Sequence, residues 1–314
     1  MMDDLSFRDI MPAAWFATHP FIKERQLELA KKAHVKILQI SIYFSHPGLY
    51  FQKSNEWNIG YIWKSSGVQN GARFSAGQLK EIIDTSDSLG LGPALYFNIS
   101  ECQEYLALKY FRNDIVRDEK GDPLKGWPPE NRRSKIPQTA YCFLMDSTPE
   151  SNFGIHLLDQ ANSLLDNYRC NLFVDRCDYK LGINQNYTMR EANLEILEKL
   201  REICDKHGQR LIVNVPTDPR MCTLADIVTA DCTPGDIKYY RQKAGPDKPL
   251  FFMRLVGQKE GMPFDKWVDL CDQYRAGPGF DRIDDYGKNG EYKANLLEQW
   301  AKRWVERHSN DIRA

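Results

Sequence analysis

The sequence predicts an α/β protein, a closed (β/α)8 TIM barrel with long loops after its second and third strands. Short apolar runs rich in β-forming residues alternate with stretches of helical spacing, which is typical of a parallel sheet covered by helices. Glycines such as Gly90 and Gly208 stand where the helical spacing stops, as expected at helix C-caps. Eight such units need about 250 residues, and the chain has 314.

The predicted strands are spread over most of the chain, and the eighth has the weakest pattern. Closure of the barrel is therefore an expectation, and an open doubly wound sheet is the alternative. The strands are expected at residues 13–17, 35–44, 93–99, 171–175, 211–215, 226–230, 250–255 and 276–280.

The predicted helices carry apolar residues on one face. Leu194, Leu197 and Leu200, for example, recur every three residues and share one side of a helix. The helices are expected at residues 21–33, 76–89, 152–168, 189–207, 234–243, 264–274 and 291–307.

Two long insertions, residues 44–76 and 100–152, follow the second and third strands. Loops at the carboxyl ends of barrel strands build binding and catalytic sites. The first insertion is rich in aromatic residues, which favours a substrate-binding wall over a small core packed within the loop. The chain shows no internal repeat or flexible linker, so a single domain over residues 1–314 is expected.

The composition narrows the class of partner. The chain carries 42 Lys and Arg against 43 Asp and Glu, a formal net charge of -1. Proteins that neutralise many phosphates carry a basic surplus, so no nucleic-acid partner is expected. No run approaches the roughly 20 consecutive apolar residues of a membrane span, so no membrane segment is expected either. The sequence leaves the oligomeric state open.

The eight cysteines are spread singly, without a C-x-x-C pair. Several lie in apolar runs, where a reduced thiol behaves as a small hydrophobic group. Reduced cysteines favour a cytoplasmic protein. The acidic N-terminus lacks the apolar core of an export signal, so the alternative is a secreted protein whose signal has been removed.

The common nucleotide, zinc-protease and lipase motifs are absent from the sequence. The six histidines stand singly, and only His19 and His46 follow predicted strands closely enough to line a pocket. We therefore expect neither a metal site nor a cofactor.

The most informative residues are two carboxylates at strand ends. Strand 171–175 ends in Asp175, and alternation places this side chain on the face opposite Leu172 and Val174. The aliphatic pair should face the helices, so Asp175 should point into the barrel mouth. Strand 226–230 is followed by Asp231 in the same way. The alternative is that both carboxylates have structural roles: Asp175 pairs with the neighbouring Arg176 or Lys180, and Asp231 caps the next helix.

A pair of carboxylates across a scissile bond is what glycoside hydrolysis requires, one as the nucleophile and the other as the proton donor. Asp178 is a competing nucleophile and Glu101 a competing acid. Polar and aromatic groups near other strand ends suit a ligand rich in hydroxyl groups. These candidate sugar-binding residues are Trp15, Tyr43, Asn98, Asn214 and Arg254, to which Asp146, Arg176 and Lys180 are added.

Two segments carry a resemblance to a known family. Residues 141–150, Tyr-Cys-Phe-Leu-Met-Asp-Ser-Thr-Pro-Glu, and residues 173–179, Phe-Val-Asp-Arg-Cys-Asp-Tyr, resemble the α-galactosidase and α-glucosidase superfamily of retaining barrel hydrolases. The resemblance implies that Asp175 is the nucleophile and Asp231 the acid/base. It also implies that residues 96–98 form a strand whose polar end contacts sugar.

The sequence therefore predicts a hydrolase that acts on an α-linked glycoside through Asp175 and Asp231. One alternative is a barrel that binds carbohydrate without turnover, alone or as a module of a larger assembly. Another is a barrel lyase or aldolase that uses Lys180 as a Schiff-base nucleophile.

Overall fold

The computed structural model describes most of the chain. The described residues are 10–18, 21–41, 43–44, 46–52, 56–59, 72–127, 141–175, 177, 188–232, 236–254, 262–281 and 290–313. No helix in these ranges is both long enough and apolar enough to cross a lipid bilayer.

Eight of the twelve strands in the described ranges form a closed parallel barrel, which confirms the predicted fold. Around the barrel the order is β1, β12, β11, β10, β9, β8, β5 and β2. The strands are β1 Ala14–Thr18, β2 Val35–Ile40, β3 Glu56–Ile59, β4 Ala72–Ser75, β5 Pro93–Asn98, β6 Glu101–Gln103, β7 Cys142–Leu144, β8 Asn171–Asp175, β9 Leu211–Asn214, β10 Ile227–Cys232, β11 Leu250–Arg254 and β12 Gly277–Asp281.

Helices follow the barrel strands, and several begin at side chains that cap their first turn. Ser75 accepts the backbone N–H of Gln78, whose side chain in turn accepts the N–H of Ser75. In the described part of the chain the helices are α1 Glu24–Lys32, α2 Ala76–Ser88, α3 Glu104–Tyr110, α4 Asn152–Asn167, α5 Thr188–His207, α6 Pro219–Leu224, α7 Ile237–Ala244, α8 Phe264–Gln273 and α9 Gly290–Arg313.

The two long insertions lie where the sequence predicts them, after the second and third barrel strands. Each contains a two-stranded antiparallel sheet, formed by β3 with β4 in the first and by β6 with β7 in the second. The short helices α3 and α6 were not predicted, because seven and six residues are too few to show a clear helical period.

The barrel interior is filled by large aromatic side chains, and β12 is shaped to admit them. A Cβ at Gly277 would lie 2.3 Å from the ring of Phe251, and one at Gly279 would lie 2.8 Å from the ring of Trp15. These two glycines therefore make room for bulky side chains from the neighbouring strands.

Candidate active site

Asp175 lies at the carboxyl end of β8, the fourth barrel strand, on the face that points into the barrel. Phe173, two residues earlier on the same face, packs against the interior ring of Trp15 with ring centroids 5.4 Å apart. Leu172 and Val174 instead belong to the core that α4 and α5 cover. The orientation predicted for Asp175 from strand alternation is confirmed.

Both carboxylate oxygens of Asp175 accept hydrogen bonds from neutral donors. The hydroxyl of Tyr96 donates to Oδ2 at 2.9 Å, and the amide Nδ2 of Asn214 donates to Oδ1 at 2.8 Å. Tyr96 and Asn214 belong to β5 and β9, the two strands that flank β8. The carboxylate is therefore held from both sides by rigid elements of the barrel.

The amide of Asn214 is itself held by a deeper residue. The hydroxyl of Thr229, on β10, donates to Asn214 Oδ1 at 3.0 Å. Asn214 is 2% exposed and Thr229 is fully buried, so water does not compete for these bonds. Val215 follows Asn214 with φ at 45°, a left-handed conformation that is strained for a β-branched residue. Its N–H donates to the carbonyl of Thr229 at 2.9 Å, which ties down this turn.

Asp231 lies on β10, the sixth barrel strand, two residues beyond Thr229. Residues two apart share a face of a strand, and Ile227 on this face packs with the barrel interior whereas Val228 and Ala230 pack with the outer core. Asp231 therefore faces inward, as predicted. Its side chain is half-buried, and its Oδ1 atom is buried.

Trp15 forms the floor beneath this polar layer. The side chain is 1% exposed, and its indole N–H donates to Gln39 Oε1 at 3.0 Å. The amide of Gln39 donates in turn to the hydroxyl of Ser41 at 2.9 Å. Trp15 was expected to orient a sugar, but in this structure its ring has no surface open to a ligand and it supports Gln39.

Tyr43 is also buried and holds Tyr96 from behind. Its hydroxyl donates to the backbone carbonyl of Tyr96 at 2.9 Å, and the ring of Phe44 stacks on the ring of Tyr96 with centroids 5.8 Å apart. Burial raises the pKa of Tyr43 well above its usual range, so the hydroxyl remains a donor. The structure gives Tyr43 a supporting position in place of the expected contact with sugar.

Asn98 and Glu101 form one buried unit that shapes the turn after β5. Asn98 Nδ2 donates to Glu101 Oε2 at 2.6 Å, and Asn98 Oδ1 accepts the backbone N–H groups of Ser100 and Glu101. Glu101 also accepts the backbone N–H of Trp127 at 2.5 Å. Glu101 is 2% exposed and ties the second insertion to the barrel, so it has a structural position. Asp231 is only half-buried and is therefore the better candidate for the acid.

Asp146 lies off the barrel strands, in the turn that leads into α4. Its Oδ1 accepts the N–H of Thr148 at 3.0 Å, and its carbonyl accepts the hydroxyl of Ser151, the N-cap of α4. This position starts a helix and does not place Asp146 with Asp175.

Four of the sequence-predicted site residues lie wholly or partly outside the described residues. Arg176, Asp178 and Lys180 lie outside the described residues, as does the side chain of Arg254, whose backbone ends β11. Their predicted roles remain predictions.

Two residues of the site are not identified as site residues from the sequence. Thr229 is not among the predicted residues, and Tyr96 is indicated only as part of the strand at residues 96–98. Strand alternation carries the signal for both, because Tyr96 lies two residues before Asn98 and Thr229 two before Asp231.

Solved structures share this fold. A noncanonic maltogenic alpha-amylase, AmyB from Thermotoga neapolitana, matches with a TM-score of 0.61 at 11% identity over 94% of this chain and 77% of the amylase. The alpha-galactosidase AgaA from Geobacillus stearothermophilus matches with a TM-score of 0.58 at 8% identity, over 95% of this chain and 42% of the galactosidase. The glycoside hydrolase domain of PelA from Pseudomonas aeruginosa matches with a TM-score of 0.51 at 13% identity, over 86% of this chain and 93% of that domain.

These likenesses establish the barrel fold, which this chain shares with glycoside hydrolases. The chain spans less than half the length of the alpha-galactosidase. No model of a known protein family matches the sequence, and no curated protein matches it.

Proposed function

We propose that this protein is a glycoside hydrolase that cleaves an α-linked glycoside with retention of configuration. Asp175 attacks the anomeric carbon, and Asp231 protonates the leaving oxygen and then activates the water that releases the product. The observation that carries the proposal is the position of Asp175, at the barrel mouth with one donor on each carboxylate oxygen.

The contacts of Asp175 suit a nucleophile. An ionised carboxylate only accepts hydrogen bonds, and the two donors fix its plane while each oxygen keeps a second lone pair. Both donors are neutral. Within the described residues these two contacts orient the carboxylate without a positive charge, which suits a nucleophile because a tight ion pair would compete with the developing charge at the anomeric carbon.

The position of Asp231 suits an acid/base partner. Asp175 lies beside Asn214, which is paired with Thr229, so Asp231 is two strands across and two residues further towards the mouth. Strand spacing of about 4.8 Å and a rise of about 3.3 Å per residue give roughly 12 Å between the two Cα atoms along the sheet. Both side chains point inward from a curved wall, so the carboxyl groups lie closer together than the Cα atoms. Retention requires a carboxyl separation of about 5–5.5 Å, and inversion one of about 6.5–9.5 Å.

The choice of an α-linked substrate rests on resemblance. The segments around Asp146 and Asp175 resemble retaining α-glycosidases, and two of the solved structures that share the fold are an alpha-amylase and an alpha-galactosidase. Asn214, at the end of β9 on the inward face, is 2% exposed and donates its amide N–H to Asp175, so its part in the proposal is to hold the carboxylate and not to contact the sugar.

The proposal is tested with a panel of 4-nitrophenyl α- and β-glycosides, extended to α-linked oligosaccharides. We expect turnover of an α-glycoside, with the α-anomer of the product formed first in a proton NMR time course. A mock purification from cells that lack the gene serves as the blank for contaminating hydrolases. Absence of turnover on every α-glycoside would overturn the proposal. Binding without turnover would identify the carbohydrate-binding alternative, and a first-formed β-anomer would remove Asp175 from the nucleophile's role.

A further inference from the structure

We propose that Thr229 is a positioning residue that acts on Asp175 through Asn214. This inference rests on the proposed function, since Asp175 is taken as the nucleophile. The geometry is a chain of two hydrogen bonds across three adjacent strands, from the Thr229 hydroxyl to Asn214 Oδ1 and from Asn214 Nδ2 to Asp175 Oδ1.

The two ends of the chain together fix the direction of the Asn214 amide. A rotation of the amide by half a turn would place its oxygen against the carboxylate of Asp175, which has no proton to donate to it. In the observed orientation the oxygen faces the Thr229 hydroxyl, which donates at 3.0 Å. Thr229 therefore satisfies the amide oxygen in the one orientation that leaves the amide N–H for Asp175.

Burial makes the role of Thr229 dependent on its hydroxyl. Thr229 is fully buried and Asn214 is 2% exposed, so water cannot replace the hydroxyl if it is removed. The neighbouring backbone reinforces the arrangement, because the N–H of the strained Val215 donates to the carbonyl of Thr229. Asn214 is thus anchored to Thr229 in two ways, through its own side chain and through the backbone of the next residue, Val215.

Thr229 is paired with Asn214 and lies two residues before Asp231 on the same face of β10. Its hydroxyl donates to Asn214, so Thr229 acts on Asp175 only through that amide. A positioning residue of this kind should affect the chemical step more than substrate binding. Loss of its hydroxyl should lower kcat by about tenfold, ~1.4 kcal/mol of activation free energy, and leave KM within about twofold.

The test compares two opposite changes at the same position. Thr229→Val keeps the shape and removes the hydroxyl, whereas Thr229→Ser keeps the hydroxyl and removes the methyl. The hydroxyl role predicts a fall in kcat for Val and near-normal kcat for Ser, and a packing role predicts the reverse. Thr223→Val is the matched control, because the Thr223 hydroxyl is exposed and its hydrogen bond goes to the carbonyl of Pro219 on α6 and not to Asn214.

A second readout does not depend on turnover. The side-chain amide of Asn214, assigned by its loss in Asn214→Ala, is followed in a proton–nitrogen NMR spectrum. We expect Thr229→Val to shift this signal and Thr229→Ser to leave it unchanged. If the shift occurs in a protein that hydrolyses no glycoside, the positioning chain stands and the proposed function fails. An unchanged amide signal together with unchanged kcat in Thr229→Val overturns the inference, and Thr229→Ala repeats the test if the valine variant does not fold.

Discussion

Replacing Asp175 with asparagine separates catalysis from stability at the candidate site. The carboxylate accepts one hydrogen bond from Tyr96 at 2.9 Å and one from Asn214 at 2.8 Å. In Asp175→Asn the new amide oxygen can still accept from Asn214. The new amide nitrogen then faces the hydroxyl of Tyr96, which can accept as well as donate. Both contacts therefore survive the substitution.

The expected magnitudes differ widely between the two properties. Two charge-assisted hydrogen bonds become neutral ones, and a half-buried charge is removed, so the free energy of unfolding should change by less than about 1 kcal/mol. An amide is not a nucleophile, and kcat should fall by at least about 10^4-fold, the scale seen when a hydrolase loses a reacting group.

Steady-state kinetics on the best nitrophenyl glycoside and a thermal melt measure the two effects. Asp226→Asn is a matched control, since Asp226 makes an ion pair with Arg201 and accepts the N–H of Leu211 at the opposite, N-terminal end of the strands. This control should lose stability and keep kcat. Asp175→Asn with kcat within tenfold of the wild type, or Asp226→Asn with an equal loss of kcat, would refute the reasoning.

Three further predictions concern stability. The Arg241 guanidinium donates to four backbone carbonyls, those of Tyr274, Gly245, Lys248 and Arg275. Arg241→Met should therefore lower the free energy of unfolding by roughly 2–4 kcal/mol in a denaturant titration and leave kcat of the folded protein unchanged. An unchanged midpoint of denaturation would contradict this prediction. Burial lowers the pKa of His156 below 6.5, so the folded state loses stability as pH falls below that value. In thermal melts at pH 7.5 and 5.5, His156→Gln should therefore lose less stability on acidification than the wild type. Equal losses would contradict a lowered pKa of His156. Burial raises the pKa of Asp114 above 3.8, because it disfavours the charged form in the folded state. The free energy of unfolding therefore falls as the pH rises from 3.8 through the folded-state pKa. Asp114→Asn should consequently be more stable than the wild type at pH 7 and lose that advantage towards pH 4. A variant less stable than the wild type at pH 7 would contradict the upward direction of the Asp114 pKa shift.

The barrel could be predicted from the sequence because its strands and helices have clear periods. The fourth strand was placed at its observed bounds, Asn171–Asp175, and the inward direction of Asp175 followed from alternation alone. Strands β3 and β4 were not predicted, because each has only four residues and both lie in an insertion rich in Gly, Asn and Ser.

The partners of Asp175 could not be predicted from the sequence. Tyr96 and Asn214 lie 79 and 39 residues away along the chain, and only the closed barrel brings them together. The expected ligand roles of Trp15 and Tyr43 illustrate the same limit. Alternation shows which face a residue occupies, but its depth in the barrel depends on how neighbouring strands are staggered.

Covalent capture of the glycosyl group tests the role of Asp175 most directly. The protein is incubated with a slowly hydrolysed fluorinated α-glycoside, denatured and digested, and the labelled peptide is sequenced by mass spectrometry. We predict one glycosyl group per chain, attached to the carboxylate of Asp175. A label on Asp178, Glu101 or any other residue, or turnover without a label and with inversion of configuration, would contradict it.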